Sequence, residues 1–195
     1  MRLPGGFGNI AATNCFAAGH QAQATNQGAF VWADSQNAIF ASTANDQVSF
    51  RCQGGVRFTS GSGAGNQTVS WTPGNGSWSF SSDRNLKDRL EPVNVQSVLD
   101  KVDQLPLSEW CYKGYDQRHI GVMAQDFHAA FGLNDDDKVL NDADLHGVTL
   151  AAIQGLNRKF EQELSAKDAE IEELRRTIQE ITRRLDGMAT DHKGN

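Results

Sequence analysis

The chain has 195 residues, a formal net charge of −6 and a hydrophobic share of 38% with 19 glycines, which is lean for one globular core and allows one or two domains. Residues 1–80 carry only Arg2, Arg51 and Arg57 against Asp34 and Asp46, whereas the remainder is dense in charge and strongly acidic. An acidic half excludes binding along a nucleic-acid backbone, which needs a basic stripe, and no run approaches the ~20 apolar residues of a membrane span.

Cys15, Cys52 and Cys111 are odd in number and widely spaced, so neither a zinc site nor a disulfide framework is indicated. Isolated thiols fit synthesis in a reducing cytosol. The start, Met1 to Gly6, lacks the apolar stretch of a signal peptide. Its abrupt entry into a glycine-rich pattern is expected of the tail of a longer fibre.

From Asn9 to Phe58 the chain is built of Ala, Gly, Asn, Gln and Ser with spaced aromatics. Phe16 and Phe30, Ile10 and Ala24, and Ala24 and Ala38 are each 14 apart. Short repeats of small residues are how β-solenoids stack their rungs. Helix is disfavoured by so much Gly and Asn, and the recurring Phe, Val, Trp and Ile oppose disorder. The run from Ala17 to Ala24, followed by Gly28 to Ser35, resembles the head repeats of trimeric autotransporter adhesins. That resemblance implies left-handed β-rolls whose core is completed only between chains, since one rung buries little. His20 reads as a surface or groove residue. Residues 54–58 and 67–71 read as short strands joined by a flexible turn at Gly61 to Asn66. That turn lacks the Gly-Lys-Ser/Thr ending of a phosphate loop. Trp71 to Phe80 is a Pro-Gly turn flanked by tryptophans.

The seam of the chain is Ser81-Ser82-Asp83-Arg84-Asn85-Leu86-Lys87-Asp88. Ser82 and Lys87 sit five apart, so a turn and a short bend can bring the ammonium to the hydroxyl. A desolvated lysine loses its proton more easily and can serve a serine nucleophile as general base. Ser-Asp is equally the composition of a helix N-cap, and spacing leaves both readings open.

Beyond the seam, apolar positions 95, 98, 99 and 102 mark an amphipathic helix, which Pro106 ends. Leu107 to Lys113 alternates as a half-buried strand, His119 to Gly121 continues as strand, and Ala124 to Phe131 is helical. His119 reads either as a supporting residue of the seam or as a histidine satisfied by a backbone partner. Gln125 and Asp126 head the helix and are candidates to touch the Ser82 loop of another protomer. Asn134 to Asp137 is a solvated loop. Asp142-Ala143-Asp144-Leu145-His146-Gly147 imitates half a calcium loop, but Ile153 stands where the bidentate Glu belongs, so a turn is expected. His119, His128, His146 and Cys111 show no metal-ligand spacing. No metal and no cofactor are expected.

In the last segment, Leu150, Ile153, Asn157, Phe160, Leu164, Lys167, Ile171, Leu174, Ile178, Ile181, Leu185 and Met188 follow alternating steps of three and four. This is a heptad seam with 150, 157, 164, 171, 178 and 185 at a, not the drifting 3.6 period of a lone surface helix. Ile178 at a with Ile181 at d fits a trimer, while Leu164, Leu174 and Leu185 leave a dimer open. Asn157 is the expected register pin, Gly187 weakens the last turn, and Thr190 to Asn195 is expected to fray.

The run Ser82 to Lys87 is followed by Leu105-Pro106-Leu107-Ser108-Glu109-Trp110-Cys111-Tyr112-Lys113. After it come His119-Ile120-Gly121-Val122-Met123-Ala124-Gln125-Asp126-Phe127 and then Gly147 to Leu156. These motifs, in this order, resemble the self-cleaving intramolecular chaperone domain of phage tail spikes, tail fibres and endosialidases. The resemblance implies a domain that trimerises, helps an upstream β-rich fibre fold, and releases itself as a single-turnover serine peptidase acting in cis. It makes Ser82 the nucleophile and Lys87 its base, with the cut between Ser82 and Asp83.

The expected fold is a multi-part α+β fibrous protein. It has a β-roll or β-rich region at 1–80, a small α+β chaperone domain at 81–149, and a parallel trimeric coiled coil at 150–195. The expected partners are two further copies and the upstream fibre segment of the same chain, with no nucleic acid and no membrane span. The expected location is a phage virion or a bacterial surface after folding in the host cytosol. A structural or adhesive trimer that never cuts, and a hydrolase acting on external substrates through Ser82 and Lys87, are the alternatives. The receptor or glycan of the parent fibre is not legible.

Overall fold

The computed structural model describes residues 4–191, with the side chains of Pro4, Ala64 and 187–191 excepted. It divides into two compact units, Met1–Leu90 and Glu91–Asn195.

The first unit opens as a β-solenoid-like stack. β1 (Pro4–Phe7), β3 (Phe16–His20), β5 (Phe30–Ala33) and β7 (Val48–Arg51) form one parallel sheet, and β2 (Ile10–Ala11), β4 (Ala22–Ala24) and β6 (Phe40–Ala41) form a second. Alternation along the strands sends Ala17, Val31, Ala33, Ala22 and Ala24 inward, all fully buried. With no interior side chain in these strands larger than valine, the small-residue composition becomes a thin core. Phe16 stacks on Phe30 at 4.5 Å and Phe30 tilts against Phe50 at 5.6 Å, a ladder outside that core. Contrary to the sequence expectation, the interior closes within one chain.

The expected 14-residue period holds at one step only. Phe16 faces Phe30, but Pro4 faces Ala17 and Phe30 faces Val48, so the successive steps are 13, 14 and 18. Ile10 accordingly faces Gln23, not Ala24, and Gln23 faces Ala41, which leaves Ala38 off the stack. The longer step is a loop between β5 and β6, organised by Arg51. Its guanidinium donates to the carbonyls of Ala38 (2.7 Å), Gln36 (3.0 Å) and His20 (3.3 Å), and to the Asp34 carboxylate at 2.9 Å. Gly19 turns the chain with φ +96, and a Cβ there would run into the Ala33 carbonyl.

Burial pushes the Asp34 carboxyl up, but the Gln53 N–H, Gln36 and Arg51 outweigh it and hold its pKa at about 2. The folded value lies below the unfolded one, so the stabilisation is present above pH ~4 and disappears as pH falls towards 2. Thermal melting followed through the strand signal is expected to be flat above that window and to drop within it. Asp34→Asn should melt lower at neutral pH and lose most of the drop.

After the solenoid, β8 (Val56–Ser60), β9 (Gln67–Trp71) and β10 (Ser79–Phe80) form an antiparallel sheet in the order β10-β9-β8. Residues 63–65, in the turn between β8 and β9, form a short 3-10 helix.

In the second unit, α1 (Val95–Gln104) starts at Asn94, whose side chain accepts from the Ser97 N–H at 3.1 Å. A two-stranded hairpin of β11 (Ser108–Cys111) and β12 (Arg118–Gly121) follows. α2 (Ala124–Phe131) then ends at Gly132, which takes the left-handed conformation common just past helix ends. α3 (Asp142–Asp191) is one helix of 50 residues, about 75 Å long.

Asp142 to Gly147 is therefore not a turn but the first turns of α3. Asn141 caps it by accepting from the Ala143 N–H, and Asp142 and Asp144 sit where the helix dipole favours negative charge. The helix continues through Gly187 to Asp191. The Met188 side chain and residues 192–195 of the expected fraying tail lie outside the described residues.

The core of this unit is Phe127, Val95, Ala151 and Ala152, with Gly155 also buried. α1 crosses α3 at Gly155, where an added Cβ would collide with the Val95 carbonyl and meet Leu99 Cβ at 3.0 Å. Gly155→Ala gains about 1 kcal/mol of helix propensity but costs about 1–3 kcal/mol of overpacking. The obstacle is largely backbone, so the loss wins, and a lower midpoint in denaturant titration is expected. From Leu156 on, the described positions of α3 are exposed, and its apolar a and d residues stand 45–64% exposed. No helix among the described residues is long and apolar enough to cross a membrane.

Candidate functional site

The seam hangs from the edge of the three-stranded sheet. The Ser81 N–H donates to the Thr68 carbonyl at 2.9 Å, and the Thr68 N–H donates to the Ser81 hydroxyl at 3.0 Å. Ser81 is thus tied to β9, backbone and side chain alike, while the Ser82 hydroxyl is left off the sheet. The chain next makes one 3-10 turn, Arg84–Leu86, capped by Asp83. One carboxylate oxygen of Asp83 accepts from both the backbone N–H and the side-chain amide of Asn85, each at 2.9 Å.

That turn folds Lys87 back towards the start of the seam. Lys87 Nζ lies 2.6 Å from Ser82 Oγ. Asp83 caps the turn while Ser82 meets the lysine, so one turn holds both the cap and the pair. The Asp83–Asn85 bracket has a signal in the sequence that the spacing of Ser82 and Lys87 does not use, since Asp-x-Asn is a turn signature.

Every residue from Ser81 to Leu90 is exposed in the single chain. The ammonium donates to the hydroxyl oxygen, whereas a general base must accept the hydroxyl proton.

His119 and Gln125 belong to the second unit. His119 pairs with Trp110 across the hairpin, stacked at 4.5 Å, with Tyr112 edge-on at 5.8 Å. The expected backbone partner for the His119 ring is replaced by this aromatic stack. Beside it, the Trp110 indole N–H is buried without a hydrogen-bond partner. Gln125 is exposed in the first turn of α2, and Asp126 lies in the same turn. Arg118 pairs with Glu109 across the hairpin. Burial and the nearby Asp34 raise the pKa of Cys52.

No curated protein and no solved structure matches the chain. Residues 82–134 match the family model described as chaperone of endosialidase, a segment that starts at the serine facing Lys87 and runs through α1, the hairpin and α2.

Proposed function

We propose that this chain is the C-terminal intramolecular chaperone of a β-rich tail fibre or adhesin, which trimerises, helps that fibre fold, and then cuts itself free beside Ser82. The observation that carries the reading is the 2.6 Å pairing of Lys87 Nζ with Ser82 Oγ at the first residue of the matched segment. In this reading residues 1–80 are fibre, 81–149 the chaperone and 150–195 a parallel trimeric coiled coil. The parent structure is a phage virion or a bacterial surface.

Assembly supplies what the single chain lacks. Burying Lys87 removes water from its ammonium and favours the neutral amine. Lys87 then accepts the Ser82 proton while Oγ adds to the carbonyl carbon of the Ser82–Asp83 bond in a neighbouring copy. The C–N bond breaks, Lys87 returns the proton to the leaving amine of Asp83, and water hydrolyses the ester to restore the hydroxyl. His119 and Gln125 are proposed to support this centre across copies. Loss of the chaperone removes an element through which unfolding could begin, so the released fibre is held kinetically.

A second reading, a structural trimer that never cuts, is favoured by the Asp83 cap, which gives the seam a purely structural use. Denaturing electrophoresis of refolded chain separates the two. Two bands are expected, and a single persistent band supports the second reading.

A further inference from the structure

The sheet of β8, β9 and β10 has two unlike faces. Its register places Val56 opposite Trp71, Phe58 opposite Val69, and Val69 opposite Phe80, so these five side chains share one face. Trp78 lies over the same face, 6.0 Å from Phe58 and 6.1 Å from Trp71. The other face carries Arg57, Thr59, Thr68, Ser70 and Ser79. On the apolar face Phe58 is 59% exposed, Trp71 49%, Trp78 43% and Phe80 61%. A contiguous uncharged aromatic surface of this kind marks a site of association.

We infer that this face is a second assembly clamp, covered by the same face of further copies of the chain, and that it stays with the fibre after the cut. The inference rests on the trimer reading. Two observations select a copy as the occupant. No charged residue stands on the face, so it complements itself and offers nothing to a charged partner. The a and d seam of α3, far along the sequence, is likewise open and asks for parallel copies of the same chain. A homomeric assembly covers both surfaces.

Position in the chain gives the clamp its use. β10 ends at Phe80 and Ser81 is still bonded to β9, so the sheet finishes where the proposed cut begins. Cleavage beside Ser82 separates the coiled coil from the fibre and leaves this clamp on the fibre side. It also seats the three seams together, so that closing the clamp withdraws Ser82 and Lys87 from water.

The test places photoreactive benzoylphenylalanine at 58 or, on the opposite face, at 59 in the full-length chain, with sedimentation measured on the same samples. A trimer that cross-links between copies from 58, with loss of that product from 59, is the expected result. Both aromatic replacements are read in assembled protein, so a variant that fails to fold is recognised by its sedimentation. A trimer that gives no interchain product from 58, or equal product from both positions, overturns the clamp but leaves the trimer reading standing. A monomeric chain overturns both.

Discussion

Ser82→Ala is expected to leave the chain at full length, and Lys87→Ala to leave most of it uncut, while both variants should still trimerise. Loss of the nucleophile abolishes the cut outright, and loss of the base slows it at least ~10²-fold. Lys87→Arg is the more incisive variant. It keeps a positive charge that can still donate to Ser82, but a guanidinium does not give up its proton in a protein, so it cannot be a base. Cutting should therefore cease in Lys87→Arg even if the seam is unchanged. Ser81→Ala loses its bond from the Thr68 N–H but not the dyad, so it should still cut. Time courses of fragment mass measure all four, and a Lys87→Arg chain that cuts at the normal rate removes lysine from the mechanism.

Fragment masses also locate the bond. Attack by Ser82 on its own carbonyl carbon closes a strained four-membered ring, so a first piece ending at Ser82 points to a hydroxyl supplied by a neighbouring copy. Attack on the Ser81 carbonyl closes a five-membered ring and ends the first piece at Ser81. A cut after Ser82, which the resemblance implies, would make assembly a chemical requirement as well as a means of desolvation.

Ile171→Asp combined with Ile178→Asp is expected to dissociate the proposed trimer. Both positions lie at a in the heptad register and both are exposed in the single chain. Pairing three helices would bury three carboxylates at each layer without partners, and an unpaired buried charge costs about 3 kcal/mol or more. Ala169→Asp, on the outward face of the same helix, should leave the trimer intact. Sedimentation distinguishes them, and equal behaviour of the two variants contradicts the seam. The double variant should also stop cleavage, because Lys87 then stays in water.

Much of the second unit was legible because its signals are local. Periodicity and Pro106 gave α1, alternation gave the hairpin strands, and α2 matches its expected bounds of Ala124 to Phe131. The same logic fails at Asp142, where acidic residues suited to a helix N-terminus also imitate half of a calcium loop. In the first unit the solenoid was legible from its small residues, but its register was not. The step of 18 residues depends on Arg51 reaching back to the Asp34–Ala38 loop, a long-range arrangement that no repeat count contains. The Ser82–Lys87 pair was legible as a spacing. The turn that realises it, with Asp83 gripping Asn85, was written in the sequence but went unread. The apolar face of the three-stranded sheet emerges only when cross-strand register aligns Val56, Phe58, Val69, Trp71 and Phe80.

Native mass spectrometry of the unmodified chain, followed from refolding through prolonged incubation, separates a trimer that cuts itself from one that persists. The account predicts a species of three times 21.3 kDa first, followed by paired fragments that meet beside Ser82 and arise only from that trimer. A trimer that keeps its full mass indefinitely, or fragments that form from monomeric chain, would contradict it.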